Sequence, residues 1–227
     1  MWQELRTELY PKGLEIVTIA LDTAGVEAGP AIEAAKPEHP SLIDQAHTVD
    51  ELFGIVNVPS GVWINEEGMI VRPAEPAWAT EHAYDKLPIP ADATKEQIDA
   101  ITEGRKLLTE ADRYIGALRD WVDRGSASHF ALDPEEVVRR SAPRPMDVSL
   151  AAANFEMGQH LHRAGHSDDA VDYFREAHLL QPDNWTYKRQ AWKLVDPGQR
   201  ADEVYEGNFL KDLKEQGGEN FYPALDM

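Results

Sequence analysis

The segment Asn57-Val-Pro-Ser-Gly-Val-Trp-Ile-Asn-Glu-Glu-Gly-Met-Ile-Val-Arg-Pro73 predicts a β-hairpin with a proline at its mouth. Apolar residues alternate around Val62 and Ile64 before the turn and return at Ile70, which gives each strand one buried face. Gly68 supplies the positive φ that a short hairpin turn needs. We therefore predict two antiparallel strands joined by a tight turn.

The chain upstream of this hairpin alternates between helical and strand patterns. Leu14–Asp22 is a β-branched apolar run, suited to a strand buried on both faces of a parallel sheet. Thr48, with Glu51 three positions later, predicts the capped start of a short helix. The predicted elements are a helix over residues 2–10, a strand over 14–22, a helix over 29–35, a strand over 41–44 and a helix over 48–53.

This order of elements, completed by Val58-Pro59-Ser60 and the hairpin, resembles the thioredoxin fold of the TlpA/ResA-like redoxins over residues 1–75. The resemblance implies an α/β fold with a thioredoxin-like sheet, a cis peptide bond before Pro59 and thiol-disulfide oxidoreductase activity. It also implies that an extended substrate segment hydrogen-bonds to the backbone of Val58. The family uses a Cys-x-x-Cys pair, whereas this chain has no cysteine. We therefore expect no catalytic residue and no cofactor here, with the nucleophile either upstream or lost.

The resemblance also implies an incomplete sheet. The family's first strand and its Cys-x-x-Cys turn would lie before Met1, and that strand is central, between residues 14–22 and the strand beginning near Gly61. Buried backbone groups left unpaired cost about 1–3 kcal/mol each. We expect one of three outcomes: the halves close on each other, a second protomer of a homo-oligomer completes the sheet, or the natural protein is longer. A misassigned start codon or an upstream selenocysteine codon would explain the third, and the DNA 5′ of the Met1 codon would reveal either.

Composition restricts the function classes. The chain has 227 residues, is 42% hydrophobic and carries a formal net charge of −19, which would repel nucleic acid and anionic lipid. The absence of cysteine excludes disulfides, thiolate catalysis and cysteine-based zinc sites in this polypeptide. No apolar run approaches the length of a membrane span, and the N-terminus shows no signal peptide. We expect a cytoplasmic protein whose partner is a protein or peptide.

A proline-rich connector over residues 76–93 separates the first region from an all-α region over 94–227. Thr94 and Gln97 form a capping box that begins a helix of about 28 residues. We expect its apolar stripe to pack on the following helices, with coiled-coil dimerisation as the alternative.

Residues 151–184 resemble one tetratricopeptide repeat, a helical hairpin. Gly158 and Ala170 let the two helices approach, while Phe174 fills the space between them, and Ser167 or Asp168 caps the second helix. A groove for peptide binding would need about three such units. Further positions that fit the pattern are Leu161, Ala177 and Pro182, followed by a helix from Trp185, a final helix with Val204, Phe209 and Leu213, and a tail in which Phe221 and Tyr222 can dock.

Two other groups of polar residues are candidate sites. His160, His162 and His166 lie with Asp168 and Asp169 around the hairpin turn, but their spacing fixes no third ligand, so we expect no metal site. Asp22 and Asp44 end predicted strands, where catalytic carboxylates occur in open α/β sheets, although such aspartates more often cap helices. Two function classes stay open: a redoxin-family oxidoreductase and a non-catalytic interaction module.

Overall fold

The computed structural model describes residues 2–80, 83–141, 143–195 and 207–227. The chain is a mixed α/β protein with two small sheets and ten helices in that part. The strands are β1 (Thr18–Leu21), β2 (Ser41–Asp44), β3 (Ser60–Ile64) and β4 (Ile70–Pro76). The helices are α1 (Trp2–Leu9), α2 (Ala28–Ala35), α3 (Thr48–Phe53), α4 (Lys95–Gly104), α5 (Ala111–Arg124), α6 (Pro134–Arg140), α7 (Met146–Arg163), α8 (Ser167–Leu180), α9 (Trp185–Val195) and α10 (Phe209–Gln216).

The first sheet pairs β1 with β2 in parallel, with Thr18 opposite Ser41 and Leu21 opposite Asp44. The strand predicted over Leu14–Asp22 is shorter in the structure, because β2 offers only four residues to pair with. The prediction for β2 is confirmed at both ends.

The second sheet is the predicted hairpin, with β3 and β4 antiparallel. Its turn closes through the N–H of Gly68 to the carbonyl of Asn65, 3.0 Å, with Gly68 at φ 78°. The pairing shifts register between Gly61 and Trp63, where Pro73 lies on β4 and has no N–H to donate. In the described residues, β1–β2 and β3–β4 share no ladder.

The capping box predicted at Thr48 is wrong. Thr48 is the first residue of α3, and His47 precedes it at φ 58° with no side-chain cap. The carboxylate of Asp44 takes the role instead, accepting from the N–H of Val49 at 2.7 Å.

The single long helix predicted after Thr94 is also wrong. The Thr94–Gln97 capping box forms as predicted, but α4 ends at Gly104 and α5 begins only at Ala111. Gly104 is buried against the ring of Tyr84, where a Cβ would lie 2.6 Å from Tyr84 Cγ. Helix α4 therefore ends at the close contact between Gly104 and Tyr84, which helical periodicity in the sequence does not predict.

The helical hairpin is confirmed in α7 and α8. Gly158 faces the ring of Phe174, and Ala170 and Phe174 are both fully buried. The predicted caps at Ser167 or Asp168 are wrong, since Ser167 already lies in α8 and His166 precedes it without a capping bond.

The C-terminal residues pack against the helical part of the fold. Phe221 and Tyr222 dock as predicted, with exposed fractions of 4% and 5%. Val204, predicted in the final helix, lies outside the described residues, and Phe209 and Leu213 lie in α10.

Two hydrophobic clusters hold the fold, and the buried members of the second lie on both sides of the predicted boundary at residue 94. One cluster combines Phe155, Phe174 and Trp185 with Phe221. The other joins α1 and β3 to α5 and the C-terminus; its buried members are Leu5, Leu9, Trp63, Ala77, Tyr114, Ala117, Leu118 and Leu225. The apolar stripe of α5 therefore packs on the N-terminal region rather than on the following helices.

No helix among the described residues has the length and apolarity needed to cross a membrane.

Candidate functional site

The loop before β3 holds the predicted site residues Val58 and Pro59. The peptide bond between them is cis, as the resemblance implies. The hydroxyl of Ser60 donates to the carbonyl of Asn57 at 2.8 Å, and the carbonyl of Pro59 accepts from the N–H of Ala77 at 3.1 Å. These bonds fix the loop against β4.

Both backbone groups of Val58 are engaged within the chain. Its N–H donates to Asn57 Oδ1 at 2.9 Å, and its carbonyl accepts from Tyr222 Oη at 2.8 Å. Asn57 Nδ2 donates in turn to the carbonyl of Phe221 at 3.0 Å. A segment binding along Val58 would have to displace Asn57 or share the carbonyl with Tyr222.

Tyr222, whose hydroxyl bonds this loop, has a pKa that is raised by burial. Burial raises the pKa of Tyr222 to about 12, while the positive charge of Arg189 acts in the opposite direction. The hydroxyl therefore stays a hydrogen-bond donor to Val58 throughout the neutral range.

A cleft of about 710 Å³ lies between β1 and β3. Its lining is largely apolar and comes from both strands, from the segments before them, from Ala77 and from the helices α1, α3 and α5. Helix α5 contributes Tyr114, Leu118 and Trp121, and α3 contributes Val49 and Phe53. Among the described lining residues the one carboxylate is Glu15, which is bonded to Arg6 at 2.7 Å.

On one side of the cleft runs the open edge of β1. Thr18 donates to the carbonyl of Pro40 at 3.0 Å, and Asp22 donates to that of Asp44 at 3.2 Å. Backbone groups alternate between the two edges of a strand, so those of the neighbouring odd-numbered residues point away from β2. These residues are Val17, Ile19 and Leu21, and all three line the cleft.

On the other side runs the open edge of β3. Pro59 and Asn65 hydrogen-bond towards β4, the latter to Met69 at 2.9 Å. The same alternation turns the backbone groups of Ser60, Val62 and Ile64 towards the cleft, which they line. The cleft is therefore bounded by a strand edge on each side.

The wall beneath β3 is a stack of aromatic rings. Trp63 lies 5.0 Å from Trp121 in a stacked arrangement, and Trp63 Nε1 donates to Tyr114 Oη at 3.0 Å. Burial raises the pKa of Tyr114 to about 12, against the weaker opposing effect of the Trp63 bond. Gly61 is required here, because a Cβ would lie 2.4 Å from Tyr114 Oη.

The two aspartates at the strand ends, Asp22 and Asp44, cap helices and are not free to act as catalytic carboxylates. Asp22 Oδ2 accepts from the N–H groups of Glu27 and Ala28 at 2.8 and 2.9 Å, at the start of α2. Asp44 accepts from Val49 and from Ala46 at the start of α3. Both carboxylates thus accept hydrogen bonds from backbone N–H groups that have no partner within the helix.

The hairpin histidines do not gather into a ligand set. His162 Nε2 lies 3.1 Å from the carbonyl of Leu194, and His166 points to Asp169 at 3.8 Å on the exposed surface. The described residues contain no group of three or more side chains placed to hold a metal ion.

Three polar contacts that are buried or partly buried lie outside the sequence predictions. His47 Nδ1 and Asp50 Oδ2 meet at 2.7 Å beside the ring of Phe155. Gln190 bonds the end of β1, donating to the carbonyl of Leu21 at 3.0 Å. Arg72 is buried and donates to the carbonyl of Phe130 at 2.7 Å. His47 and Asp50 are only three residues apart, but the sequence does not predict that the pair is buried. Its burial depends on Phe155, which is distant in sequence.

The comparisons with known proteins add no family. No protein-family model, no curated protein and no solved structure matches this chain.

Proposed function

We propose that the chain is a cytoplasmic, thioredoxin-like interaction module that binds an extended segment of another protein as an added strand between β1 and β3. The observation that carries the proposal is the cleft bounded by two open strand edges. An extended segment there would pair with Ile19 on one side and Val62 on the other. Each backbone hydrogen bond formed would contribute about 0.5–1.5 kcal/mol.

The exposure of the edge residues supports the same use. Val17, Ile19 and Ile64 line the cleft with exposed fractions of 52%, 37% and 47%. Each apolar side chain covered by an incoming strand contributes about 25 cal/mol per Å² removed from water. Open apolar edges of this kind recruit other strands.

The resemblance to the TlpA/ResA-like redoxins gives the cleft a second rationale. In that family the first strand occupies the place between the counterparts of β1 and β3. An incoming segment would fill that place. An interaction module of this kind therefore requires no cysteine in this chain. The cysteine-free composition agrees with it.

Tryptophan fluorescence tests the proposal directly. Of the six tryptophans, Trp2, Trp63 and Trp121 line the cleft, so an occupant would change their emission. The probe is an end-capped peptide whose central stretch matches the five residues of β3 in length and consists of valine, isoleucine and alanine. We expect a saturable change below about 1 mM and a rise in melting temperature. The same peptide with N-methylated amides, which cannot donate, should bind far more weakly.

A matched pair of variants locates the binding. Val17→Lys places a charge at the edge of the cleft, whereas Val138→Lys changes an apolar residue on α6 that is 70% exposed. We expect the first to abolish the response and the second to leave it unchanged. A saturable response that survives Val17→Lys, or no response with the wild-type chain, would refute the proposed function.

A second candidate is thiol–disulfide exchange with the sulfur supplied by the bound segment. The position of Pro59 in the cleft wall favours it, because the family's proline faces the reactive pair. Two thiols of the segment would be oxidised to a disulfide while a substrate disulfide is reduced to two thiols. The chain alone should show no insulin reduction above background. Adding a Cys-x-x-Cys segment should raise the rate above that of the free segment, and an unchanged rate would eliminate this candidate.

A further inference from the structure

A second cavity of about 500 Å³ adjoins one end of the cleft. Ile19, Leu21 and Val58 line both spaces. The carboxyl end of β1 and the residue that precedes the cis bond thus meet at the same end, so β1 and β3 run in opposite directions. A segment lying between them would leave the cleft through this second cavity.

The second cavity is lined by two basic residues in a strongly acidic protein. Helix α9 supplies Arg189 and Lys193, and the described lining residues include no aspartate or glutamate, although the chain carries a formal net charge of −19. Polar groups of Thr186 and Asn208 complete the lining. The cavity is therefore complementary to an anionic group.

The two cations differ in how they are engaged. Lys193 forms an ion pair with Glu27. Arg189 is exposed, and its guanidinium lies 5.5 Å from the centre of the Phe209 ring. Among the described residues Arg189 pairs with no carboxylate. Its positive charge acts to lower the pKa of Tyr222, whose hydroxyl donates to the carbonyl of Val58. A guanidinium in this position can take a carboxylate in a bidentate bond.

We propose that the ligand is an extended, uncharged apolar stretch of about five residues that carries a carboxylate group at the end leaving between Leu21 and Val58. This inference rests on the proposed strand-binding function and names its ligand class. The apolar stretch fills the cleft, and the carboxylate binds Arg189. An aspartate or glutamate side chain and a free C-terminal carboxylate share this chemistry.

Three peptides with one apolar stretch and one variable flanking residue test the inference. The flank is glutamate, glutamine or lysine, and a second set places it at the opposite end. We expect Kd to rise in the order glutamate, glutamine, lysine for one set only, with about three- to tenfold between the first two. The set that shows the order gives the direction of the bound chain. A fourth peptide with a free C-terminal carboxylate after the stretch distinguishes the two sources of the anion.

Variants of the cavity complete the test. Arg189→Gln should abolish the preference for glutamate without preventing binding of the glutamine peptide, and Arg189→Lys should retain most of it. Arg139→Gln on α6, which removes an exposed arginine outside the cavity, should change nothing. If Arg189→Gln is poorly folded, Arg189→Glu provides the second cavity variant, and it should reverse the preference so that the lysine peptide binds more tightly than the glutamate peptide.

The outcomes separate the inference from the function on which it rests. Equal Kd values for the three flanks in both sets would overturn the inference and leave the strand-binding function intact. A preference that persists in Arg189→Gln would also overturn it. If no peptide binds, the proposed function fails and the inference falls with it.

Discussion

The hydroxyl of Tyr222 donates a hydrogen bond to the carbonyl oxygen of Val58 across a sequence separation of 164 residues. The bond ties the C-terminal segment to the loop before β3. Because Asn57 Nδ2 also donates to the carbonyl of Phe221, the two segments are joined by reciprocal contacts. Val58 also lines the cleft, so the C-terminal segment helps to hold one wall of the candidate site.

Tyr222→Phe should destabilise the fold by about 1–3 kcal/mol, because the carbonyl of Val58 loses its donor in a partly buried position. For a chain of this length, each kcal/mol corresponds to about 2–4 °C in melting temperature. Thermal unfolding followed by circular dichroism measures the change. Tyr173→Phe, at a residue that is 39% exposed on α8, is the matched control and should be neutral. Equal melting temperatures for the two variants would show that the bond contributes nothing.

Alkaline pH should destabilise the protein between about pH 10 and pH 12. Burial raises the pKa values of Tyr114 and Tyr222 to about 12 in the folded state, whereas the unfolded chain has values near 10. The stabilisation from keeping these hydroxyls neutral is complete below pH 10 and is lost as pH rises to the folded value. Each pKa unit corresponds to about 1.4 kcal/mol, so each tyrosine contributes about 2–3 kcal/mol. Urea unfolding at several pH values measures the slope, which should decrease in Tyr222→Phe; a flat profile would contradict the burial argument.

Local patterns predicted those elements whose residues contact their sequence neighbours. Strand β2, the hairpin turn at Gly68 and the capping box at Thr94 depend on contacts within a few residues, and all three are confirmed. The α7–α8 hairpin was predictable for the same reason, since Gly158 and Phe174 face each other across a short turn.

The elements that sequence patterns misplaced depend on distant contacts. Helix α4 stops where Gly104 meets the ring of Tyr84, and the bonds that engage Val58 come from Asn57 and Tyr222. The cleft itself could be anticipated only as an incomplete sheet. Its second cavity depends on α9, whose approach to β1 no periodicity encodes.

Acid should destabilise the protein between about pH 6.5 and pH 3 through His178. Burial, and to a smaller extent the charge of Lys188, lowers the pKa of His178 to about 3. The folded state keeps this imidazole neutral, so its contribution is complete above the unfolded value near 6.5 and is lost as pH falls to the folded value. His178→Leu should therefore move the acid-unfolding midpoint to lower pH. His166→Gln changes an exposed histidine and should not move it. Identical midpoints for His178→Leu and the wild type would contradict this assignment.

Two helical glycines should respond to alanine in opposite directions. At Gly158 in α7 a Cβ would lie 2.6 Å from the ring of Phe174, so Gly158→Ala should overpack the α7–α8 contact and destabilise the protein by about 1–3 kcal/mol. At Gly116 in α5 no heavy atom beyond the adjacent residues and the helix's own backbone lies within 4 Å of the same position, so Gly116→Ala should gain up to about 1 kcal/mol from helix propensity. Urea unfolding of both variants measures the two signs against one wild type. Because the chemical change is identical, a shared sign would show that the close approach of α7 and α8 does not control the stability of this hairpin.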